Sequence, residues 1–119
     1  MMIMKTINIK CENKRDFFFK YITITNPFIG ITNVEIKVFA ELLFWNNEYK
    51  NLEKEERNLV LFNKITRSKI LQNINISRAS LDNQFTSLRK KGLLLGNTIN
   101  PIYEIFYDTH NNLLIAFKI

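Results

Sequence analysis

The apolar positions of the chain change period several times, and each period predicts a different element. In TINIKC (6–11) they alternate, with Ile7, Ile9 and Cys11 on one side, the period of a half-buried strand. A polar ENKRD connection leads to FFFKYITIT (17–25), rich in aromatic and β-branched residues, which predicts a second strand and an N-terminal β-hairpin over residues 1–25. Asn26-Pro27 and Gly30 close this section.

A helix follows over residues 32–45. Thr32 is placed as its N-cap, Glu35 three residues on completes a capping box, and Ile31 and Ile36 are spaced for a hydrophobic staple. Ile36, Phe39, Ala40, Leu43 and Phe44 then recur at helical spacing and make one apolar face. The polar stretch 46–58 reads as a loop running into an exposed helix start, with Glu53, Glu55 and Glu56 at the favourable end. LVLFNKI (59–65) is too short for its period to choose between continuing that helix and forming a strand.

Residues 66–92 predict two helices joined by a tight turn. The first starts at Thr66 or Ser68 and carries Ile70, Leu71 and Ile74. The second is capped by Ser77 and turns Leu81, Phe85 and Leu88 inward. Arg89, Lys90 and Lys91 stand at the negative end of the second helix before a terminating Gly92. So short a connection makes a helix-turn-helix. The runs NTINPIYEIFYD and NLLIAFKI, separated by a polar turn at 108–112, predict a C-terminal β-hairpin over 97–119. The fold class expected from this order is α+β: a single winged helix-turn-helix domain, residues 1–119, with an additional N-terminal β-hairpin.

Length and composition agree with one globular domain. The chain has 119 residues, 46% of them hydrophobic and 24% charged, which suffices for a packed core. Lys and Arg outnumber Asp and Glu by 17 to 11, giving a formal net charge of +6 that favours polyanionic partners. One Cys and one His leave neither an internal disulfide nor a zinc site of the usual Cys and His ligands. Without a Gly-rich phosphate loop or a Cys-His pair at recognisable spacing, catalysis is not expected and no cofactor is implied. No apolar run is long enough to span a bilayer and the first residues lack the features of a secretory leader, so a cytoplasmic location and no membrane partner are expected. The abundance of Asn, Ile and Lys suggests an A/T-rich bacterial or phage genome, and hence the host cytoplasm or a virion.

The stretch ILQNINISRASLDNQFTSLRKKGLL (70–94) resembles the winged helix-turn-helix of MarR-type bacterial regulators and of plasmid or phage replication initiators. The resemblance covers about a quarter of the chain. It implies a recognition helix beginning at Ser77 and lying in the major groove of double-stranded DNA. Arg78, Ser80, Asn83 and Ser87 are then the base-reading candidates, with Asn83 suited to adenine and Arg78 to guanine. Arg67, Lys69, Arg89, Lys90 and Lys91 are the phosphate-binding candidates. Asp82 departs from the pattern, because a carboxylate beside phosphates repels them. The predicted wing tip DTHNN departs too, since it carries no Arg or Lys.

Phe17, Phe18 and Phe19, read as a strand, place aromatic rings on both faces and predict an oligomer interface. Two functions therefore stand side by side. One is a small DNA-binding transcriptional regulator or replication accessory factor. The other is a structural or assembly protein, such as a phage virion component, that uses the fold for contacts with copies of itself or other subunits.

Overall fold

A computed structural model of the chain describes residues 4–107 and 112–118. Strand β1 (Met4–Lys10) is followed by helices α1 (Lys14–Ile29), α2 (Asn33–Glu48), α3 (Lys54–Leu61), α4 (Lys64–Asn73) and α5 (Arg78–Lys90), and then by strand β2 (Asn112–Lys118). β1 and β2 pair antiparallel, from Met4 opposite Lys118 to Lys10 opposite Asn112. The expected α+β winged helix with hairpins at both ends is thus overturned. Five helices form the body of the protein, and neither predicted hairpin forms.

The N-terminal hairpin fails because residues 17–25 are helical. Asn13 caps α1 by accepting from the Asp16 amide at 2.8 Å, while Asp16 accepts from the Glu12 amide at 2.9 Å. Asp16 also meets Lys20 one turn later at 3.0 Å. These bonds settle the first turn against the β preference of the aromatic run, and tertiary burial does the rest. Phe17, Phe18 and Ile22 enter the core, with Tyr21 and Ile24 packed at its edge. Gly30 ends the helix at φ 75°, a left-handed conformation that a side chain disfavours, and its N–H bonds the carbonyl of Asn26.

α2 is the central element, touching α1, α3, α4 and α5. Its capping box forms as expected, with the Thr32 hydroxyl accepting from the Glu35 amide and the Glu35 carboxylate accepting from the Thr32 amide. Ile31 and Ile36, the expected staple pair, are both buried. Val38, Phe39, Leu42 and Leu43 are fully enclosed, because neighbouring helices cover α2 on several sides. Among the described residues, no helix is long and apolar enough to cross a membrane.

The C-terminal hairpin fails for a different reason. After α5 the chain makes a small reverse turn closed by a single bridge between Leu94 and Ile99. Residues 104–107 then run over the helices without a strand partner. The period of two is real: Tyr103, Ile105 and Tyr107 pack against the core while Ile102 and Phe106 face outward. Side chains of α2 replace the missing ladder, with Asn47 Oδ1 accepting from the Tyr107 amide at 3.0 Å and Asn46 Nδ2 donating to Glu104 at 2.9 Å. Edge-on ring contacts of Tyr107 with Phe17 and of Tyr103 with Phe39 fix this strap to the bundle. Residues 108–111, which include most of the predicted wing tip, lie outside the described residues.

Two boundaries also move. Residues 59–65 resolve into the end of α3, a bend at Phe62 and Asn63, and the start of α4. α4 therefore begins at Lys64, before the expected Thr66 or Ser68, because the Asn63 side chain accepts from the Thr66 amide at 2.9 Å and caps it. Ser77 caps α5 as expected, accepting from the Ser80 amide at 3.0 Å. Ser77→Ala is expected to destabilise the protein by about 1 kcal/mol in a thermal or urea unfolding series, with Ser77→Gly costing less.

Candidate nucleic-acid interface

α4 and α5, joined by the connection 74–77, carry the residues of the expected site. Leu81, Phe85 and Leu88 bury one side of α5, and Phe85 meets Phe62 edge-on with ring centroids 5.7 Å apart. The exposed side is Arg78, Ala79, Asp82, Asn83, Thr86 and Lys90. These positions recur at intervals of one, three and four, a continuous stripe along the helix.

The stripe is rotated from the expected one. Ser80 and Ser87 are half-buried, and the Ser87 hydroxyl donates to Glu35 Oε2 at 2.6 Å. Ser87 is thus a bond between α5 and α2 in this structure and does not face outward with Arg78 and Asn83. Asp82 takes its place on the open side, with a side chain 53% exposed. Arg78 and Asn83 are exposed as expected, and neither makes a side-chain hydrogen bond among the described residues.

The five expected phosphate contacts divide as sharply. Arg67 donates from Nη1 to Asp82 Oδ1 at 2.6 Å and lies with its guanidinium 5.3 Å from the centre of the Phe85 ring. Arg89 donates to the Gly96 carbonyl at 2.9 Å and to Asn97 Oδ1 at 2.8 Å, tying α5 to the small reverse turn. Lys91 donates to Glu35 Oε1 at 2.6 Å. Lys69 holds its ammonium over the rings of Trp45 and Tyr49, 4.7 and 5.9 Å from their centres. Lys90 alone of the five is exposed and unengaged among the described residues. Four of the five cations are therefore engaged by groups of the protein itself, through contacts that spacing along the sequence does not signal.

Glu35 is the electrostatic anchor of this arrangement. Its side chain is 2% exposed and accepts from Lys91, Ser87 and the Thr32 amide. Burial alone would raise its pKa, but those bonds to the charged form outweigh it and hold the carboxyl down to about 2. The sequence marks Glu35 only as a capping residue. Its second role, holding the C-terminal turn of α5 against the N-terminus of α2, depends on contacts from the far side of the fold.

The expected oligomer interface does not survive. Phe17 and Phe18 are core residues, with their rings edge-on at 5.1 Å, and only Phe19 of the three is exposed, at 39%. The reason is the helical period, which carries two consecutive residues inward and the third out, where a strand would have alternated them. No family model matches the chain, and no curated protein or solved structure matches it either.

Proposed function

We propose that this chain binds double-stranded DNA by placing the exposed stripe of α5 in the major groove, as a small regulator or replication accessory factor. The observation that carries this reading is the stripe itself. It is a run of short, mostly polar side chains, with a cation at each end, left uncovered on a helix whose other side is buried. From Arg78 to Lys90 it spans about 18 Å at 1.5 Å per residue, enough to face roughly five base pairs. Arg78 at the helix N-terminus can donate to guanine, and Asn83 can pair with adenine.

Charge supports the same class of partner. On α4 and α5, Lys64, Lys69, Arg78 and Lys90 pair with no carboxylate among the described residues, whereas Asp82, the one carboxylate of these two helices, is matched to Arg67. The net charge of +6 supplies long-range attraction to a polyanion. Of the five expected phosphate contacts only Lys90 is unengaged among the described residues, so the salt dependence of binding is expected to be shallow for a protein of this charge.

The test is a salt titration of binding to random and genomic duplexes, run beside a light-scattering mass. Arg78→Ala is expected to lose about 1–3 kcal/mol on preferred duplexes and to relax preference at one base. Lys90→Ala should weaken all duplexes alike and reduce the log-log salt slope by about 0.9. Identical behaviour of the two variants would leave no base readout. An assembly role is favoured by a separate observation, the outward-facing Leu59 and Leu95, which stand 76% and 52% exposed on α3 and on the turn after α5. Absence of DNA binding together with a higher oligomer dissolved by Leu59→Ser would favour that reading.

A further inference from the structure

Asp82 is the residue of the stripe that ought to oppose DNA, yet the fold holds it there with care. Arg67 reaches across from α4 to its Oδ1 at 2.6 Å. The arginine is itself fixed by stacking on Phe85, with a buried Nε that finds no partner among the described residues. A surface ion pair by itself contributes only about 0–1 kcal/mol, so stability is a poor account of burying an unpartnered guanidinium nitrogen to make one. Neutralised by Arg67, Asp82 no longer carries a net charge toward the phosphates. Its second oxygen, Oδ2, accepts no hydrogen bond among the described residues. The neighbour one turn earlier on the stripe is Ala79, too small to cover that oxygen. Thr86, the next on the other side, turns its hydroxyl to the Asp82 carbonyl at 3.1 Å and so does not compete for the carboxylate.

We propose that Asp82 is a specificity-determining residue that accepts a hydrogen bond from the exocyclic amino group of a cytosine in the major groove, with Arg67 as its positioning residue. The inference rests on the DNA-docking reading above. The chemistry is selective because a carboxylate only accepts. Cytosine presents its N4 amino donor in the major groove, whereas guanine offers acceptors at N7 and O6 and thymine an acceptor at O4. Adenine also carries an amino group, but beside the N7 acceptor, which a carboxylate meets unfavourably and the amide of Asn83 matches. The two adjacent stripe residues therefore divide the two bases that present an amino group in the major groove. Arg67, expected from sequence to hold a phosphate, instead sets the orientation of a base contact.

The experiment is selection of bound sites from a randomised duplex library by the full chain, with Asp82→Ala, Asp82→Asn and Arg67→Met beside it. The parent chain is expected to enrich a C·G pair at one position of its site. Asp82→Ala and Asp82→Asn should lose that preference by about tenfold while keeping preference elsewhere. Arg67→Met, which leaves the carboxylate charge uncompensated, should weaken binding to every sequence, most of all at low salt. Because Asp82 is exposed, its variants are expected to unfold within a few degrees of the parent, which a circular dichroism melt checks. Retention of every base preference in Asp82→Ala, with the parent still selecting a site, overturns the inference alone. Failure of the parent to bind or select any duplex overturns the docking reading and this inference with it.

Discussion

Phe18→Ala is expected to lower the stability of the protein by about 3–5 kcal/mol, while Phe19→Ala, one residue on, costs less than about 1 kcal/mol. Phe18 is fully enclosed, with its ring edge-on to Phe17 at 5.1 Å and to Phe44 at 6.4 Å. Truncation removes the transfer free energy of a whole ring and leaves a cavity that the close-packed α2 cannot collapse into. Phe19 lies on the open side of α1 and leaves no such void. Urea unfolding of the two variants at neutral pH separates them by midpoint. Comparable losses at 18 and 19, or a larger loss at 19, would mean that this segment does not present the helical face described here. Of the aromatic triplet, Phe17 and Phe18 are spent on the core of the chain itself and only Phe19 is open to a partner.

The second large effect belongs to Glu35. Its carboxyl titrates near 2 in the folded protein against an ordinary value of 4.5, so the folded state binds its proton more weakly than the unfolded state does. A depressed pKa contributes stability that is present above the unfolded value and is lost as pH falls toward the folded one. Glu35→Gln is accordingly expected to cost about 2–3 kcal/mol at pH 7, with the difference from the parent shrinking below pH 4.5 and almost gone near pH 2. Asp16, whose pKa is also lowered, titrates in both proteins and cancels from the difference. Urea midpoints measured at several pH values give the curve directly. A gap that stays constant from pH 7 to pH 3 would mean that the charge on Glu35 contributes nothing and that only its shape matters.

What the sequence disclosed and what it hid follow one physical line. Caps are local, so Thr32 with Glu35, Ser77, and the terminator Gly92 could each be placed from a few neighbouring residues. The apolar face of α5 was legible for the same reason. α1 was misread because β-branched and aromatic residues favour strands only weakly, and the stronger signals were the Asn13 cap and the inward set Phe17, Phe18, Tyr21 and Ile22. In the candidate site, Arg78, Asn83 and Lys90 were legible because exposure follows from the helical wheel. The wheel missed by a fraction of a turn: Glu35 of α2 draws in Ser87, Ser80 is half-buried, and Asp82 stands exposed. The pairs Arg67 with Asp82 and Lys91 with Glu35 join residues distant in sequence, and no spacing rule marks them.

The junction between β1 and α1 has one more consequence. Cys11, the only cysteine of the chain, sits there with 2% of its surface exposed. A thiol so enclosed reacts with an aqueous reagent only in those moments when its surroundings part, so the speed of its modification is set by how often they do. The molecule thus contains its own clock for breathing motions at the start of the helical body. Because that clock stands on a different element from the stripe of α5, it can be read with a polyanion bound or absent, and any change in its rate measures how far an event at the stripe is felt through the core.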